Sequence, residues 1–383
     1  MLRRFILVSL PVALLIWLGW RIRQTEVPHL QPEVTGRAVG VFHLHSDASH
    51  DSSLSPEAIA AVAEAQGVDF IILTDHNNQL AAPLQIGKVT VLSFAELSTP
   101  YGHLIQFGSP EVPSPDERKS EELTGHLLRQ GGVPILSHPT DRKRPWEGRW
   151  DQAPGIEIAN SASSARSRSG MAYTGLLPAL AVWRFRPDLA WIQVYDRNHE
   201  ALARWDERQS AEVFGICGAD SHGRFSFDQE MRTWRLLLDS PLPEEHDARP
   251  AFIKEMLGKG RFHCVAGMFG RNPRFTFVAR KNAETVGFSG DEVSRDAVDE
   301  FFIEAPTVDG DTTTIVLFRN GEEILRSRGE AMYYRRPRAG LYRIEIRMAV
   351  PNIAFGARSL PVVYSNRIRV TAPDAVPQAS VEP

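Results

Sequence analysis

Residues Val41–Asp51 read VFHLHSDASHD, a short apolar run threaded with three histidines and two aspartates. His43 and His45 are two apart, and in a strand of period two they point to one face. A neutral imidazole is the commonest metal ligand, and two on one strand face can hold an ion rigidly. His50 and Asp51 follow in a short loop. A chain built around such a stretch has to bring further ligands to the same place.

Those ligands recur where apolar runs end. FIIL leads into Thr74, Asp75, His76 and Asn77; VTVLSFA leads into Glu96, and His103 follows the YGH turn. VPILS leads into His138, and FGICGA into Asp220 and His222. Seven of the 12 histidines, namely His43, His45, His50, His76, His103, His138 and His222, fall at such positions. Scattered core or surface histidines would not favour strand ends in this way. His29, His126, His199, His246 and His263 read as ordinary.

From Gly40 to about Gly267 short apolar runs alternate with helical patterns, which predicts strands with crossover helices and a largely parallel sheet. The first helix is marked by Ser55 as cap, Pro56 at the first position, Ile59, Val62 and Ala63 on one face and Gly67 at its end. In a closed barrel of this kind the loops after the strands build the site. From about Pro273 the pattern becomes alternating strands, with Asn320-Gly321 as a hairpin turn. It predicts an immunoglobulin-like antiparallel β-sandwich over 273–372, followed by a disordered tail at 373–383.

The amino-terminal run 5–20, FILVSLPVALLIWLGW, is uncharged and flanked by Arg3, Arg4, Arg21 and Arg23. With no small-residue cleavage site after it, the expectation is an uncleaved transmembrane helix over 1–24 and a tether over 25–38. The free amino terminus tips the charge rule towards a cytoplasmic start and a periplasmic or external body. A length of 383 residues suggests two domains, and the net charge of -4 gives no reason to expect a nucleic-acid partner. Cys217 and Cys264 sit in apolar runs and read as buried free thiols.

Taken together and in order, FHLHSDASHD, ILTDHN, the AEL…GH pair, ILSHP and CGADSHG resemble the motifs of the PHP (polymerase and histidinol phosphatase) family of metal-dependent hydrolases. The resemblance spans about Gly40 to Gly223. It implies an α/β fold, a distorted (β/α)7 TIM-like barrel over 39–267, with two or three divalent ions, zinc, manganese or iron, on one rim. It also implies a ligand set: His43, His45, Glu96 and Asp220 for one ion, Glu96 bridging to a second held by His103 and His138, and His50, His76 and His222 for a third. Many relatives read HS-x-x-SDG; here His50 takes the place of the usual aspartate, leaving His50 and Asp51 as alternatives. Asp75 is expected to orient His76 or its loop, and Glu157 to lie inside the barrel.

The chemistry expected of such a centre is hydrolysis of a phosphorylated small molecule, with Glu96, His103, Asp220 and His222 counted as catalytic. Arg142, Lys143, Arg144 and Arg224, just after the ligand loops, are candidate phosphate contacts. A carboxylic or carbamic ester or amide is the alternative substrate, with Trp146, Trp150 and Tyr173 as a possible apolar pocket. A non-catalytic metal-stabilised module in a membrane complex is the second alternative. Substrate, metal, oligomer and protein partners are not written in the sequence.

Overall fold

The computed structural model describes residues 13, 16–168, 176–210, 212–224, 226–353 and 356–372. Tyr173, the tail 373–383 and residues 1–12 and 14–15 of the amino-terminal run lie outside them. Ten strands and one helix position the site. They are β1 (Val39–Leu44), α1 (Pro56–Ala65), β2 (Phe70–Leu73), β3 (Val89–Ser93), β4 (Glu96–Thr99), β5 (Gly102–Phe107), β6 (Val133–Ser137), β7 (Gly155–Asn160), β8 (Phe214–Gly218), β9 (Arg235–Leu238) and β10 (Phe262–Val265). Helix α1 forms where its cap predicts: the Ser55 hydroxyl accepts from Ala58 N, Pro56 opens the helix, and Ile59, Ala60 and Ala63 are buried.

The expected (β/α)7 barrel is not what these strands make. Among the described residues they divide between two sheets, β4–β8 in one and β1–β3, β9 and β10 in the other, and the parallel alternation breaks in the middle. β1, β2 and β3 are parallel neighbours, and so are β6, β7 and β8. Between these triplets β4, β5 and β6 run antiparallel. For β4 and β5 the physical reason is local: the turn Pro100-Tyr101 is too short for a crossover helix, and strands joined by a tight turn must pair antiparallel. The two sheets touch at two seams. At one, Leu44 bridges Ser221, with Ala219 N donating to Phe42 O at 2.9 Å; at the other, His76 bridges Glu96.

The carboxyl-terminal strands do not form a free-standing sandwich either. Gly356–Ser365 pairs with β10, β10 with β9, and β9 with β1, so both halves of the chain share one twelve-stranded sheet. A separate four-stranded sheet contains Thr276–Lys281 and Glu300–Glu304. The hairpin at Asn320-Gly321 does form, with φ of 52° and 85°, and joins Thr314–Arg319 to Glu322–Arg328. Cys217 on β8 and Cys264 on β10 are joined in a disulfide with Cα atoms 5.8 Å apart, which corrects the free-thiol reading. The bond ties the five-stranded sheet of β4–β8 to the twelve-stranded one.

The transmembrane expectation is corrected as well: among the described residues no helix is long and apolar enough to cross a membrane. The described helix over 16–24 lies against the protein, with Leu18 and Ile22 packed on the core and Arg21 donating to the carbonyls of Asn352 and Ile353. Residues 25–38, read as a tether, are stitched in by Leu30–Gln31 pairing with Thr307–Val308.

Candidate metal centre

The site lies at the two seams, and the backbone there is unusual. His43, Asn77, His138 and Asp220 all have positive φ, at 66°, 52°, 30° and 51°. Non-glycine residues avoid this region, and its concentration at one place is the kind of strain that functional sites hold. At His43 it coincides with a bulge between Phe42 and Leu44 in the pairing with β2. The rings of His43 and His45 therefore converge, with centroids 5.2 Å apart, through a bulge that re-aims a side chain and not through the simple alternation the sequence suggests.

Hydrogen bonds on the far side of each ring fix which nitrogen faces inward. His43 Nδ1 donates to Glu157 Oε1 at 2.8 Å, and His45 Nδ1 lies 3.1 Å from Ser49 Oγ, which itself donates to Asp75. Both Nε2 atoms then point at the same carboxylates. His43 Nε2 is 3.5 Å from Glu96 Oε1 and 3.5 Å from Asp220 Oδ1; His45 Nε2 is 3.6 Å from Glu96 Oε2 and 3.7 Å from Asp220 Oδ1. His43, His45 and Glu96 are close enough to share one ion, and Asp220 Oδ1 stands beside both imidazoles.

Glu96 also meets the second group. Its Oε1 is 3.1 Å from His103 Nδ1 and 3.0 Å from His138 Nε2, and its Oε2 is 3.0 Å from His76 Nδ1. The third group differs in detail from the sequence reading. Asp51 Oδ1 lies 3.2 Å from His222 Nδ1 and 3.7 Å from His76 Nε2, while His50 is exposed, with its ring 5.2 Å from that of His76. His45, His76 and His222 are close enough to share an ion, and so are His50, Asp51 and His76.

Burial and charge act in opposite directions here. Burial disfavours charge on Glu96 and Asp220, yet His43 and the neighbouring imidazoles outweigh it and hold both carboxyls well below the usual range. Burial pushes His45 down to about 4 against Asp220 and Glu96, leaving a neutral imidazole suited to ligation. On His43 burial also lowers the pKa, but Glu157, Glu96 and Asp220 prevail and raise it well above the usual value.

The candidate substrate contacts separate. Arg144 Nη1 is 2.7 Å from His103 Nε2, beside the centre. Arg224 pairs with Asp51 at 2.9 Å, so it serves a candidate ligand directly. Arg142 and Lys143 are exposed, and Arg142 lines a different hollow of about 290 Å³ with Thr140 and Ser163. Trp146 is 8% exposed and turned into the core, with Trp150 partly buried against it. Asp75 acts on its loop, accepting from Ser46 N, Ser46 Oγ and Ser49 Oγ, and Ser49 Oγ in turn accepts from His76 N. Sequence reasoning missed Ser137, whose hydroxyl donates to Glu96 Oε1 at 2.5 Å, and undervalued Glu157. The signal for Glu157 was present: an acid inside the apolar run GIEIAN must find donors.

No family model matches the chain, and no curated protein matches its sequence. The buried histidine and carboxylate groups lie within metal-binding distance of one another and can hold a metal ion.

Proposed function

We propose that this protein is a metal-dependent hydrolase of phosphoesters, of the kind its PHP-like motifs suggest. The observation that carries this reading is a set of buried ligand atoms that crowd together without a well-directed hydrogen bond: His43 Nε2, His45 Nε2, His76 Nδ1, His103 Nδ1, His222 Nδ1 and Glu96 Oε2. Unpaired buried polar atoms are costly, and cations satisfy all of these at once. Two or three divalent ions held there by these residues would supply Lewis acidity. Nitrogen and oxygen ligands mixed in this way suit zinc, manganese or iron.

The protein's own groups support a phosphoryl substrate. Glu96 joins the ligand groups, Ser137 and Glu157 hold ligands in place, and the exposed guanidinium of Arg144 stands beside His103. Arginine suits the bidentate recognition of phosphoryl oxygens. A carbonyl substrate would favour an apolar pocket, whereas the side chain that stands against His103 is the charged Arg144. The test is metal analysis of the purified protein followed by a panel of phosphomonoesters, phosphodiesters and carboxylesters. Metal-dependent phosphoester hydrolysis, abolished by a chelator, is expected. Faster turnover of carboxylesters, or no bound metal, would overturn the reading.

A further inference from the structure

We propose that Glu157 is a positioning residue that locks two strained metal ligands, His43 and His138, into one geometry, and that Gly218 is glycine in order to admit it. The proposal rests on the metal-centre reading above. Glu157 is fully buried on β7, and both carboxylate oxygens are used. Oε1 accepts from His43 Nδ1 at 2.8 Å. Oε2 accepts from the backbone N–H of His138 at 2.6 Å and from Asn160 Nδ2 at 3.0 Å.

The two histidines it reaches come from different sheets, and each has positive φ. One oxygen sets the His43 ring so that Nε2 faces Glu96 and Asp220. The other ties down the backbone that carries the His138 ring, whose Nε2 lies 3.0 Å from Glu96 Oε1. Ligand orientation by an outer carboxylate of this kind commonly governs metal affinity. Space for the carboxylate comes from β8: a Cβ on Gly218 would stand 1.8 Å from Glu157 Oε1 and 3.0 Å from the His43 Cβ. Since Gly218 does not have a positive φ, its bareness answers to this close approach and not to a turn.

The experiment compares wild type, Glu157→Gln and Gly218→Ala in chelator-competition titrations with zinc, alongside absorption spectra of the cobalt-substituted proteins and thermal melts. Glu157→Gln sets an amide N–H against either His43 Nδ1–H or His138 N–H, and should weaken at least one ion by about 10–100-fold and change the cobalt spectrum. Gly218→Ala keeps every polar group yet should shift both readouts the same way. In the double variant the effects should fall short of additive, because both act through one contact. Lower melting temperatures with wild-type metal affinities and cobalt spectra would show a merely structural carboxylate and overturn the proposal. If Glu157→Gln fails to fold, the Gly218→Ala result decides alone. A wild-type protein that binds neither zinc nor cobalt would instead sink the metal-centre reading, and this proposal with it.

Discussion

Replacing Glu96 by glutamine is the sharpest perturbation of the centre, because its two oxygens lie 3.0–3.6 Å from nitrogens of His43, His45, His76, His103 and His138. An ion held by those imidazoles would have the carboxylate closer still, at the ~2 Å of a ligand bond, so a separation of ~4 Å gives a lower bound on their attraction. There a pair of unit charges is worth about 4 kcal/mol at an effective permittivity of ~20. A divalent ion doubles this. If half is recovered through the amide dipole and local rearrangement, about 4 kcal/mol is lost, on the order of a thousandfold in affinity. The fold should survive, since the amide oxygen can still accept from Ser137 Oγ. Metal content after dialysis in metal buffers, with circular dichroism as a check on folding, reads the effect, and hydrolysis should fall by about a hundredfold or more. A folded Glu96→Gln protein with unchanged stoichiometry, affinities within about threefold of wild type and full activity would refute the reasoning.

Asp51→Ala should lower the metal stoichiometry by one, because its carboxylate approaches both His76 and His222, whereas exposed His50→Ala should change it less; elemental analysis with the ranks reversed would show that His50 is the ligand. Thiol titration of the denatured, unreduced protein should find no free cysteine, and Cys264→Ser should cost about 2–4 kcal/mol in chemical denaturation, the usual range for a native disulfide. A free thiol count of two would contradict the pairing. Burial opposes charge on Glu345, yet Arg343, Arg197 and Arg347 overcome it and pull its pKa to about 2. Its contribution, about 3 kcal/mol for such a shift, is therefore present above pH 4.5 or so and lost as the pH falls towards 2. Glu345→Gln should flatten that part of the stability profile, and an identical acid limb in both proteins would disprove the assignment.

Much of the candidate metal centre is legible in the linear chain because ligand chemistry belongs to residue type. His43, His45, His76, Glu96, His103, His138, Asp220 and His222 stand at the ends of apolar runs, and the structure gathers them. Local signals were equally plain where neighbours in sequence supply the contacts, as at the Ser55 cap and the Asn320-Gly321 turn. What the sequence left undecided depends on partners far along the chain. Strand alternation looks the same whether the neighbour is parallel or antiparallel, so the antiparallel β4-β5-β6 segment and the merging of carboxyl-terminal strands with β1 became visible only through hydrogen bonding. The apolar residues Leu18 and Ile22 would suit a bilayer or a protein core, and packing chose the core. The bulge at His43, the pairing of Cys217 with Cys264 and the reach of Glu157 across two sheets are of the same kind. Each is a contact between residues that only the closed tertiary structure brings within a few ångströms.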